Sequence, residues 1–127
     1  MKQCAGQIRY LIAIRELSET DEYVKSVSIS RHLGVSRPSV SKMLRCLANH
    51  GLVYEDYGNS VMLTPEGEKA VEEIFSSFTE VYTFFHKFLK LPNDEAHEQS
   101  IKFITEFPKD TCDRLKHIVK RTIKKQA

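Results

Sequence analysis

A chain of 127 residues, 41% of them hydrophobic, is long enough for one domain, or for one small domain with a helical extension, and its core needs no covalent staples. Its three cysteines, Cys4, Cys46 and Cys112, are odd in number, far apart and without C-x-x-C spacing, which argues against a zinc knuckle or a secreted disulfide scaffold and fits a reducing cytoplasm. The net charge of +2 neither requires nor excludes nucleic acid, and no apolar run approaches the ~18 residues that a membrane span requires.

The first helix is predicted from Gln7 to about Ser18, because Ile8, Leu11, Ile12, Ile14 and Leu17 recur at three- and four-residue steps. A short second helix follows around Val27–Leu33 and stops at Gly34, a residue that tolerates the left-handed conformation at a helix end. Ser36 is the expected N-cap of a third helix with Pro38 in its first turn. Val40, Met43, Leu44 and Leu47 form its buried stripe, and Gly51 closes it.

Leu52–Tyr57 and Val61–Thr64 then read as two short strands around the turn residues Gly58 and Asn59. Thr64 caps a long fourth helix, with Pro65 at its first position and Glu66 favourable at the positive end of the helix dipole. Its apolar stripe is expected to run through Val71, Ile74, Phe75, Phe78, Val81, Tyr82, Phe85, Phe88 and Leu89. Leu91-Pro92-Asn93 interrupts it, and two further helices are predicted over Asp94–Phe107 and from Lys109 to about Ile123.

Charge is distributed unevenly. No acidic residue lies between Glu22 and Glu55, whereas Lys25, Arg31, Arg37, Lys42 and Arg45 fall there. Three helices followed by a hairpin is the order of a winged helix-turn-helix, in which the second helix braces the third and the third enters a DNA major groove. Arg37, Ser39, Ser41, Lys42 and Arg45 lie off the apolar stripe of the third helix, where their donors can face phosphates and base edges. Tyr57, Gly58 and Asn59 stand near the expected hairpin tip, although an aromatic at Tyr57 more often packs the wing than touches DNA. The predicted fold is therefore mainly α: a winged helix-turn-helix with a two-stranded wing at residues 1–64, followed by a helical dimerisation domain at 65–127. An aromatic stripe at helical spacing is more often core or oligomer interface than ligand pocket, so a homodimer is expected.

The runs Tyr10–Leu17 (YLIAIREL), His32–Leu44 (HLGVSRPSVSKML), His50–Val53 (HGLV), Leu63–Gly67 (LTPEG) and Asp94–Glu98 (DEAHE) resemble the diphtheria toxin repressor and manganese transport regulator family. The resemblance implies a dimeric, metal-activated DNA-binding repressor, and it matches that family's DNA-contacting pattern at Ser36, Pro38, Ser39, Ser41 and Lys42. It also implies manganese or iron as the default cofactor, yet the positions where its ligands would fall hold Arg9, Ile12, Phe78, Ile101, Ile104 and Thr105. None of these offers the carboxylate, imidazole or thiolate that such a cation needs. His97 matches an accessory-site histidine of some members, but one imidazole without partners rarely holds a metal. The expectation is a cytoplasmic repressor that binds double-stranded DNA with packing in place of coordination and with no membrane partner. Activation by metal at a relocated site, an organic effector among the phenylalanines, and a protein-interaction module on a winged-helix scaffold stay open. An enzyme is not expected, since no phosphate-binding glycine loop, nucleophile elbow or acid–base pair is present.

Overall fold

The computed structural model describes residues 4–126. It contains six α-helices in the order α1 (Ala5–Ser18), α2 (Ser26–Leu33), α3 (Arg37–Asn49), α4 (Pro65–Thr83), α5 (Asn93–Glu106) and α6 (Lys109–Gln126), with one π-helical turn, Phe84–Phe88, directly after α4. The chain divides into two compact units, residues 1–72 and 73–127, and α4 carries it from one into the other. Among the described residues there is no disulfide, and no helix is long and apolar enough to cross a membrane.

In the first unit α1 is the central element. Every residue from Tyr10 to Ile14 is buried, so the helix is covered on all sides rather than along one stripe. Its start is tied by Gln7, whose Oε1 accepts from the Cys4 backbone N–H at 3.0 Å. Burial pushes the Tyr10 phenol above its ordinary pKa. Helices α2 and α3 both pack on α1 and on each other. Gly34 ends α2 at φ 67°, and Ser30 fastens the turn that follows: its carbonyl accepts from the Val35 N–H at 3.1 Å while its hydroxyl donates to the Val35 carbonyl at 2.6 Å.

The expected two-stranded wing is reduced to a single antiparallel bridge, Val53 to Leu63. Two bonds flank the bridge, Tyr54 N–H to the Met62 carbonyl at 3.0 Å and Thr64 N–H to the Leu52 carbonyl at 3.1 Å, and the Val61 N–H, on the other edge of the same arm, is bonded to the Val24 carbonyl at 2.8 Å. Val24 and Lys25, in the connection between α1 and α2, thus hold the returning arm. The hairpin tip is shaped by Asn59, whose side-chain amide donates to Asp56 at 3.0 Å.

The junction into α4 explains the whole Leu63–Gly67 run. Thr64 Oγ1 accepts from the Gly67 N–H at 3.0 Å and its hydroxyl donates to the Gly51 carbonyl, so one side chain caps α4 and ties it to the end of α3. Pro65 fills the first helical position, where no N–H is missed. Gly67 is there because the first turn of α4 lies on the backbone of Leu52: a Cβ at this position would come within 1.9 Å of the Leu52 oxygen.

In the second unit, Phe78, Val81, Ala96, Ser100, Ile101, Cys112 and Val119 are buried, and α5 packs on the π-helical turn and on α6. The stripe predicted for the fourth helix holds through Tyr82. It then meets the π-helical turn, which ends with the Leu89 N–H bonded to the Phe84 carbonyl at 3.1 Å, and Lys90 at φ 64° turns the chain out of helical geometry. Leu89, expected on the buried face, is consequently exposed.

Gly67→Ala has no room that a side chain could yield, since it meets backbone. It should cost about 2–3 kcal/mol of stability, read as a lowered urea midpoint at unchanged slope, whereas Gly58→Ala, with nothing within 4 Å of the added carbon, should stay within about 0.5 kcal/mol. Equal effects at the two positions would refute the close approach at Leu52.

Candidate nucleic-acid interface

Helix α3 begins at a working cap. Ser36 Oγ accepts from the Ser39 N–H at 3.2 Å and donates to Ser39 Oγ at 2.8 Å, and Pro38 sits in the first turn. Val40, Leu44 and Leu47 have no solvent exposure, and Met43, the fourth residue of the expected stripe, is half-buried. A helix with these positions inward must turn the residues between them outward. Ser36, Arg37, Pro38, Ser39, Ser41, Lys42 and Arg45 are all exposed, on one contiguous surface of the N-terminal two-thirds of α3. Helix α3 contains no acidic residue, and Arg37, Lys42 and Arg45 have no ion-pair or hydrogen-bond partner among the described residues.

The two hairpin residues named from the sequence differ in character. Tyr57 is half-buried. Asn59 is exposed, but its amide is held by Asp56 and its carbonyl accepts from Lys25 Nζ at 2.6 Å, so Lys25 serves to fix the tip. That contact spans thirty-four positions in sequence and leaves no local pattern from which it could be read. His32 also has a specific partner: its Nε2 lies 3.0 Å from Glu16 Oε1, pinning the end of α2 to α1. His50, at the end of α3, bonds the Cys46 carbonyl through Nδ1 at 2.8 Å.

Residues 8–59 match the iron-dependent repressor N-terminal DNA-binding domain family. That match lies within the N-terminal unit. Over 60 residues the chain is 43% identical to the transcriptional regulator MntR of Escherichia coli, a stretch that covers 47% of this chain and 36% of that protein. The chain is also similar to the solved structure of the manganese regulator SloR, with a TM-score of 0.77 at 27% identity, covering 94% of this chain and 55% of SloR. The metal-dependent transcriptional regulator MtsR shares the fold at a TM-score of 0.78 and 21% identity, covering 90% of this chain and 53% of MtsR. The chain therefore spans about half the length of these structures, and its matched stretch about a third of MntR.

The residues at the positions where the resemblance implies metal ligands do not fit a divalent cation. Ile12, Phe78 and Ile101 are buried hydrocarbon, and Ile104 is half-buried hydrocarbon. Thr105 donates its hydroxyl to the Lys102 carbonyl at 3.0 Å, and Arg9 brings a positive charge. Manganese or ferrous iron needs oxygen, imidazole or thiolate donors in number. His97 stands edge-on to the Phe78 ring, with centroids 5.0 Å apart. Among the described residues no three His, Cys, Asp or Glu side chains come together in a group able to hold a metal.

The Ser36 cap sets the register of the exposed face. Ser36→Ala should lower stability by about 1 kcal/mol, and Ser36→Asp, which keeps an acceptor at the cap, should restore most of it in the same denaturation experiment. Loss of stability in the Asp variant equal to that in the Ala variant would rule out the capping role.

Proposed function

We propose that this protein is a transcriptional regulator, acting as a repressor, that binds double-stranded DNA as a homodimer through the helix-turn-helix formed by α2 and α3, and does so without a divalent metal. The observation that carries the reading is the acid-free face of α3, where Arg37, Lys42 and Arg45 have no partner among the described residues and stand exposed with Ser39 and Ser41, in a segment that matches the DNA-binding domain of the iron-dependent repressor family. Such a face suits a major groove: guanidinium and ammonium groups meet phosphates and guanine edges, and short hydroxyls allow close approach. Ser36 and Pro38 bring the start of the helix to the backbone, and Asn59, held by Lys25 and Asp56 at the hairpin tip, would meet a neighbouring phosphate, with the half-buried Tyr57 two positions before it.

The dimer is supported by apolar side chains that the second unit leaves uncovered, among them Leu89, Phe107 and Ile118, each about half exposed. Two copies related by a twofold axis would present two recognition helices to a palindromic site. Metal independence is supported by the hydrocarbon and cationic residues at the family's ligand positions, where no coordination chemistry is available. The chain is not an enzyme. A cytoplasmic location follows from the DNA partner.

The test is a Lys42→Ala, Arg45→Ala double variant titrated against duplex from the gene's own upstream region. Affinity should fall by about tenfold or more, and the slope of log K against log salt should shrink by about 0.9 for each phosphate that is no longer neutralised, with helix content by circular dichroism unchanged. Wild-type affinity and slope in this variant would remove α3 from the interface.

A further inference from the structure

The second unit carries a charge distribution that the helix-turn-helix does not explain. Helix α6 holds seven of the chain's 19 Lys and Arg residues but only two of its 17 acidic ones, so the remainder of the chain is net acidic. Both acids lie in the first turns of α6 and are locally engaged: Asp110 with Arg114 at 2.9 Å and Asp113 with Lys109 at 3.8 Å. Between Asp113 and Ala127 no further carboxylate side chain follows.

Of the six Lys and Arg beyond that point, all but the half-buried Lys116 lie away from the buried side of the helix. Cys112 and Val119 are buried and fix the inward side of α6. At 3.6 residues per turn, His117, Arg121, Lys124 and Lys125 recur on the opposite side, with Lys120 beside them, and all five are exposed. None of the four Lys and Arg has an anionic partner among the described residues. Like charges three and four residues apart weaken a helix, so this row is a liability that an external polyanion would relieve.

We infer that the exposed face of α6 formed by Lys120, Arg121, Lys124 and Lys125 is a second nucleic-acid surface, which binds the phosphodiester backbone of duplex DNA without regard to sequence. An anionic membrane is the rival polyanion. A helix that lies in a membrane buries a continuous apolar face there, and the apolar face of α6 is already committed inward through Cys112 and Val119, with Ile118 and Ile123 the large apolar side chains left uncovered among its described residues. What α6 offers outward is a row of point charges, which suits phosphates met at a surface. The choice of DNA rests on the regulator reading above; the existence of a polyanion surface does not.

The experiment uses the full chain and a fluorescein-labelled duplex of arbitrary sequence, titrated between about 50 and 200 mM salt. In Lys120→Gln, Arg121→Gln, Lys124→Gln, Lys125→Gln, affinity at the low end should fall about tenfold or more and the salt slope should drop by about 0.9 for each phosphate left without its cation. A charge-keeping control, with each Lys exchanged for Arg and Arg121 for Lys, should bind as the wild type does, and circular dichroism should show α6 intact in both. An unchanged slope and affinity in the Gln variant would overturn the inference, as would loss of binding to phosphatidylserine vesicles with DNA binding untouched. The two readings fail separately: if Lys42→Ala, Arg45→Ala is silent while the α6 variant loses affinity and slope, the α6 surface stands and the helix-turn-helix reading falls.

Discussion

Val40, Leu44 and Leu47 have no solvent exposure, and on a helix of fixed period their burial leaves Arg37, Ser41, Lys42 and Arg45 no direction but outward. Removing each of these apolar side chains from water is worth roughly 1.5–3 kcal/mol, whereas an exposed ion pair is worth about 0–1 kcal/mol. Rotation of α3 to satisfy its cations locally would therefore forfeit far more than it gained. The unpaired basic face is a consequence of core packing against α1 and α2, and the Ser36 cap and the Gly34 turn place the start of that face where the chain emerges from α2.

Much of this was legible in the sequence because it is local. Gly34 at a helix end, Ser36 before Pro38 and the three- and four-residue spacing of the α3 stripe each encode a feature within one or two turns, and the structure shows each of them. What the sequence concealed depends on contacts between distant segments. The wing reads as two strands by alternation, but only one bridge forms, and its returning arm is held through Val61 by Val24, a partner that no local pattern announces. Gly67 reads as an ordinary early helical glycine until the Leu52 carbonyl is found beneath it. The π-helical turn at Phe84–Phe88 keeps an apolar spacing that a regular helix would also show, so only Leu89, left exposed, betrays the change of geometry.

The two units divide the chemistry differently. In the first, the exposed cations of α3 alternate with hydroxyls on a capped helix, an arrangement that can discriminate among base edges. In the second, α6 beyond Asp113 presents exposed cations with no acid among them, an arrangement suited to charge density alone. Hydrocarbon at Ile12, Phe78, Ile101 and Ile104 contributes to packing in each unit and supplies no donor to a cation. In the proposed function, affinity for DNA comes from charge and shape that are present in the folded chain itself, with no step that waits on a metal.

The most direct test of that account is fluorescence anisotropy of the full chain on duplex from the gene's upstream region, first in chelator and then with manganese or ferrous iron. The account predicts binding in chelator with an affinity that added metal leaves unchanged. Binding that is absent in chelator and appears only with metal would contradict it, and would mean that carboxylate, imidazole or thiolate groups elsewhere in the chain assemble a site that the positions of Arg9, Ile12, Phe78, Ile101, Ile104 and Thr105 do not provide.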